Sequence, residues 1–169
     1  MVELIQNLTG SLLDVGPLTW GGLGACLVSG GITGLERQYM GKPVGIRTCV
    51  LICLGTYVFV VVGLAATTAS SDPTRIIGQI VTGIGFIGAG VMLTRDGSVI
   101  GATSAADIWM MAAIGVAIGV VSPVLGIKLA LLSAITLLGV HFFELRVQRK
   151  HPQVHKILDD EPASVRDND

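Results

Sequence analysis

The chain has 169 residues, of which 51% are hydrophobic and only 14% charged, with 23 glycines and a formal net charge of −1; its mean hydropathy is +0.73. A soluble domain carries about a quarter charged residues, so an ordinary soluble enzyme is excluded, and a net charge this close to zero offers nothing to nucleic acid. No charge interrupts residues 15–35, 48–71, 76–94 or 108–127, and each run approaches or exceeds the roughly 20 residues that cross a bilayer core.

Residues 1–15 carry no Lys or Arg and so lack the positive region of a cleaved signal peptide. Val2, Ile5, Leu8 and Leu12 fall at helical spacing, which predicts a short interfacial segment over residues 1–16. Asn7-Leu8-Thr9 fits the glycosylation sequon, a short and frequent pattern. The first span is expected over residues 17–35, ending at Glu36-Arg37. A polar loop punctuated by Gly41, Pro43 and Gly45 follows. This loop is not a P-loop, because Pro43 stands where Ser or Thr is required.

The second span is expected over residues 47–68. Asp72 then serves as N-cap for the third, with Pro73 at the first helical position, where its missing N–H costs nothing. The third span covers residues 75–94 and stops at the turn signal Asp96-Gly97, with a linker through residue 102. Ser104-Ala-Ala-Asp107 begins the fourth span, which ends near Val121. Ser122-Pro123 opens the fifth, which ends near Phe143. Residues 144–169 form a basic-then-acidic tail, partly disordered at its acidic end. The expected fold is therefore an all-α integral membrane bundle of five transmembrane helices over residues 17–143.

Orientation follows from Lys and Arg in short loops. One side receives Arg37, Lys42, Arg47, Arg95, Arg146, Arg149, Lys150, Lys156 and Arg166; the other receives Arg75. This asymmetry predicts the N-terminus outside and the C-terminus in the cytoplasm. Lys128 falls inside the fifth span near the outer interface, from where its stem can snorkel.

Gly30/Gly34 and Gly115/Gly119 have the small-xxx-small spacing of helix contact faces. Gly83-Ile-Gly85-Phe-Ile-Gly88 matches a dinucleotide fingerprint on paper, but it lies within an uncharged span rather than after a strand. With Gly90 it reads as a glycine-lined helix face, open to a second use as a local break or aqueous path lined by carbonyls.

Asp107 is an acid within a hydrophobic stretch, a costly placement that usually has a purpose. Three readings stand: a first-turn acid of the helix that Ser104 starts, an ion or proton site, or the partner of Arg47 or Arg95. Glu36, Arg37, Arg47 and Asp107 are all expected near the cytoplasmic interface as one polar cluster. Glu36 and Asp107 would supply the hard oxygens Mg²⁺ prefers, with the arginines competing for them. Cys26, Cys49 and Cys53 read as small buried residues. His151 and His155 follow no metal motif. Arg146, Arg149, Lys150 and Lys156 read as an anchor at anionic headgroups.

Three stretches occur in order: Gly34-Leu-Glu36-Arg37-Gln38 with Gly41-Lys-Pro-Val-Gly45-Ile-Arg47-Thr48; Asp72-Pro-Thr-Arg75 leading to Val81-Thr-Gly83-Ile-Gly85-Phe-Ile-Gly88-Ala-Gly90; and Gly101-Ala-Thr-Ser104-Ala-Ala-Asp107-Ile-Trp109 with Ala112-Ala-Ile-Gly115. Together they resemble the MgtC/SapB family of bacterial inner-membrane proteins. The resemblance implies a five-span domain in a bacterial plasma membrane, a link to adaptation under low magnesium and, in some pathogens, to survival inside a host. Longer members add a soluble C-terminal domain, in whose place stands the stretch after Glu144, and some carry a neutral residue at the position of Asp107.

The expected function is non-enzymatic, in magnesium homeostasis or stress adaptation, acting in the lipid bilayer through another membrane protein or a second copy. No resident cofactor is expected, with Mg²⁺ the possible ligand. The alternative is a Mg²⁺ or proton-coupled cation transporter using Glu36 and Asp107.

Overall fold

The first helix, α1 (Trp20–Tyr39), starts where Thr19 turns its hydroxyl back to accept from the Gly22 N–H at 3.0 Å. In the computed structural model, which describes residues 14–67, 72, 74–95 and 98–150, the tyrosine of the next helix ties down this same cap. The Thr19 N–H donates to the Tyr57 hydroxyl at 3.0 Å. The helix starts three residues later than the apolar run because the cap, and not hydropathy, sets its end.

At its other end α1 closes with a Schellman motif. The Gly41 N–H donates to the Gln38 carbonyl and the Lys42 N–H to the Arg37 carbonyl. Gly41 supplies the left-handed φ of 64° that the motif needs.

The following helices are α2 (Ile46–Ala65), α3 (Thr74–Gly90), α4 (Ala102–Val120) and α5 (Pro123–Lys150). At the start of α3, Asp72 accepts from the Thr74 N–H at 2.9 Å and from its hydroxyl at 2.8 Å, as the cap reading expects. These two bonds, hydroxyl first, hold the Asp72 carboxyl below its usual range. Ser122 opens α5 in the same way, accepting from the Leu125 N–H at 3.2 Å.

The expectation of an all-helical chain needs one correction. α3 stops at Gly90, and β1 (Leu93–Arg95) pairs antiparallel with β2 (Ser98–Ile100), where a helix end and a linker were expected. The β-branched pair Val99-Ile100 and the turn residues Asp96-Gly97 favour a hairpin, a signal that the uncharged run through Thr94 conceals. Asp96 and Gly97 themselves lie outside the described residues. Gly101, at φ 93°, carries the chain from β2 into α4; a side chain there would run into the Val91 carbonyl.

Glycines set the helix spacing. A Cβ on Gly30 would sit 2.5 Å from the Val50 Cα, and one on Gly34 would strike Ile46. Along this seam Gly34 meets Ile46, Gly30 meets Val50 and Gly22 meets Tyr57, so α1 and α2 are antiparallel. On α4, a Cβ at Gly115 would sit 2.5 Å from the Cys53 carbonyl oxygen, and Gly119 faces Val60. α4 therefore runs parallel to α2. Both small-xxx-small pairs thus grip the same helix, one from each partner. α3 packs on α4 through Gly88 and on α2 through Ile76, which meets Gly63.

Among the described residues, α2, α4 and residues Pro123–Phe143 of α5 are long and apolar enough to cross a membrane. α3, at 17 residues, is shorter than such a span, and α1 carries the charged pair Glu36-Arg37 within its last turns. The chain divides into two compact units, residues 1–134 and 135–169. In the second, the described part is the helix through Lys150, with Ile135, Phe142 and Phe143 exposed and His141 edge-on to Phe142 at 6.3 Å. The expected interfacial segment ahead of Asp14, the His151/His155 pair and the acidic tail lie outside the described residues.

Candidate functional site

The polar face of α1 points into the bundle. Ser29, Thr33 and Arg37 recur every fourth residue, and each is at most 1% exposed, while Leu27, Val28 and Leu35 face outward. This is the reverse of a water-soluble amphipathic helix, and it suits a chain whose surroundings are lipid.

Arg37 sits in the last turn of α1, where the helix dipole favours a cation. Its guanidinium reaches α4: Nη2 donates to the Ser104 hydroxyl, and Nε lies 3.7 Å from Asp107 Oδ2. The same Oδ2 accepts from the Cys49 thiol of α2 at 3.4 Å. Both charged side chains are 1% exposed. One carboxylate thus gathers three helices. A buried pair of this kind adds little over a well-packed apolar pair, but loss of either partner alone costs about 3–5 kcal/mol.

Of the four residues expected in one cluster, the structure brings Arg37 and Asp107 together. The partner of Asp107 is Arg37, which replaces the expected Arg47 or Arg95. Arg47 is exposed in the first turn of α2, and Glu36 is half-buried. One residue before Arg37, Glu36 leaves α1 about 100° round the helix. Ser104 does not start α4: Gly101 is the N-cap and the helix begins at Ala102, so Ser104 stands in the first turn and Asp107 in the second. Ser104 acts instead as the hydroxyl that receives Arg37.

The glycine face of α3 is divided. Gly88 is buried against Ala105, whereas Gly83, Gly85 and Gly90 are exposed and have open space beyond them. Beside this face, α2 and α3 enclose an apolar groove of about 770 Å³ between residues such as Phe59, Ile80 and Ile84.

The sequence marks Cys49 only as a small buried residue, and the four-residue spacing of Ser29 and Thr33 from Arg37 is the signal that finds them. The hydroxyls of Ser29 and Thr33 and Asp107 Oδ1 are buried without a hydrogen-bond partner among the described residues. The atoms around Asp107 Oδ2 are a guanidinium and a thiol, which do not make the near-octahedral oxygen shell of Mg²⁺. Among the described residues no three His, Cys, Asp or Glu side chains group to hold a metal.

Residues 23–146 match the profile of the MgtC family. The chain belongs to the MgtC family.

Its MgtC-family relatives include the "Putative magnesium transporter YhiD" of Escherichia coli (strain K12), 41% identical over 128 residues that cover 72% of this chain and 60% of that protein. "Protein MgtC" of Brucella abortus (strain 2308) is 41% identical over 99 residues, covering 56% of this chain and 41% of its own. "Protein SapB" of Bacillus subtilis (strain 168) is 38% identical over 105 residues, covering 57% and 45%. The chain spans 60% or less of the length of these three curated relatives. No solved structure matches it. With helices apolar enough to span a bilayer and this family membership, it is a helical membrane protein.

Proposed function

We propose that this MgtC-family chain crosses the bacterial inner membrane five times, with its N-terminus outside, and serves magnesium homeostasis by contacting another membrane protein, without catalysing a reaction. The observation that carries the reading is the state of Asp107. Its charge is met at 3.7 Å by Arg37 within the bundle, so it locks helices instead of presenting itself to a cation. The name of the Escherichia coli relative supports the link to magnesium. The exposed glycines of α3 support a protein partner, since small residues let a second helix come close in lipid. Nine Lys and Arg on one side against Arg75 on the other support the orientation.

A transporter is the second reading, favoured by Asp107 Oδ1, which is buried without a hydrogen-bond partner. Purified protein in liposomes separates the two. The regulator reading expects no Mg²⁺ flux from either wild type or Asp107→Asn. Flux in the wild type that Asp107→Asn abolishes would overturn it in favour of transport. The orientation is checked by impermeant thiol labelling of single cysteines placed near each terminus. Labelling from opposite faces agrees with five spans, and labelling from the same face rules them out.

A further inference from the structure

α3 has 17 residues, a length of about 25 Å, which falls short of the roughly 30 Å hydrocarbon core. The chain leaves that helix while still apolar. Met92, Leu93, Val99 and Ile100 are 40%, 68%, 59% and 54% exposed. The register sets Leu93 opposite Ile100 and Thr94 opposite Val99, so apolar side chains occupy both faces of the ribbon.

Two demands then conflict. A sheet of only two strands has two outer edges, whose backbone N–H and C=O groups need water or headgroups and are not tolerated in hydrocarbon. Its side chains, in contrast, are stabilised by leaving water. The boundary between headgroups and acyl chains satisfies both.

The neighbours of the hairpin fit that place. The end of α1 lies at the same end of the bundle, because Arg37 bonds Ser104 in the first turn of α4. Gly34 meets Ile46 there, which brings the start of α2 alongside. Tyr39 is 82% exposed at that end, and Lys42 and Arg47 are exposed beside it. Tyrosine prefers the headgroup level, and lysine and arginine are attracted to anionic lipid within a Debye length of the surface.

We infer that the β1–β2 hairpin is an interfacial anchor, lying at the headgroup–acyl boundary with Leu93 and Ile100, which share a face, toward the upper acyl region and Val99, on the other face, at headgroup level, and that lipid covers it. The inference rests on the reading of α3 as a membrane span. It makes the connection between α3 and α4 part of the membrane-contacting surface, so that lipid composition acts directly on the end of the bundle where Arg37 meets Asp107.

The test uses tryptophan emission in the full chain, reconstituted into vesicles of phosphatidylethanolamine and phosphatidylglycerol with lipids brominated either near the headgroups or near the chain ends. Trp20→Phe leaves Trp109, 54% exposed on α4 and about 10 Å along it, as reporter of the span itself. Trp20→Phe/Trp109→Phe/Val99→Trp reports the hairpin, and Leu93→Trp in the same background replaces it if the first variant misfolds. The hairpin reporter is expected to lose more emission to bromines near the headgroups, and Trp109 more to the deeper ones.

Quenching of Trp109 with none at the hairpin overturns the anchor and leaves the membrane reading intact. Strongest quenching of the hairpin by chain-end bromines also overturns it. Quenching of neither reporter removes the membrane reading itself.

Discussion

Arg37 of α1 and Asp107 of α4 meet inside the bundle at 3.7 Å, with both side chains 1% exposed. Neither has water to fall back on. The pair is sustained by its surroundings: the Ser104 hydroxyl takes a guanidinium N–H from Nη2, and the Cys49 thiol bonds the carboxylate. The end of α1 adds to this, since a cation in its last turn opposes the local dipole charge.

The glycines at the helix crossings are predicted to be irreplaceable, while those on the open face of α3 are not. Gly30→Ala and Gly115→Ala would place a Cβ 2.5 Å from the backbone of α2 and are expected to cost about 1–3 kcal/mol by overpacking. Gly83→Ala and Gly85→Ala meet nothing within 4 Å and should stabilise α3 by about 1 kcal/mol through helix propensity. Unfolding of the four variants in detergent checks the contrast; equal effects at both sets would contradict the packing.

Thr33→Val is expected to raise stability. The Thr33 hydroxyl is fully buried and has no hydrogen-bond partner among the described residues, and valine keeps its shape without the polar atom. Relief of an unpaired buried hydroxyl is worth about 1–3 kcal/mol. A loss on the same unfolding assay would mean that the hydroxyl is bonded within the folded bundle.

The caps make a third set. Ser122→Ala removes the acceptor for the Leu125 N–H and should cost about 0.5–2 kcal/mol. Thr19→Ala should cost more, because that hydroxyl serves both the Gly22 N–H and the Tyr57 hydroxyl, 3.3 Å away. Tyr57→Phe should recover none of this loss when combined with Thr19→Ala. Unfolding midpoints of the three variants, taken together, decide it.

Much of this arrangement is legible in the sequence, and the exceptions have physical causes. The uncharged runs place the helices within a few residues, except that α5 runs on to Lys150, past the expected end near Phe143 and into the expected tail. The glycine pairs Gly30/Gly34 and Gly115/Gly119 announce the seams, and the Asp72 and Ser122 caps bond as their residue types require. The hairpin is hidden because Leu93, Val99 and Ile100 are as apolar as a helix, and hydropathy alone cannot separate the two. The partner of Asp107 is hidden for another reason. Spacing along one helix finds Ser29, Thr33 and Arg37 on a common face, but only the crossing of α1 with α4 shows that this face meets Asp107 instead of leaving it to Arg47 or Arg95.

A double-mutant cycle on Arg37 and Asp107, read by unfolding of the detergent-solubilised chain, tests most directly the claim that each is the other's counter-charge. Arg37→Leu and Asp107→Leu should each lose about 3–5 kcal/mol, because each strands a buried charge, and the double variant should recover most of that loss. A double variant as unstable as the sum of the two single ones would contradict the account and return Asp107 to the role of a ligand site.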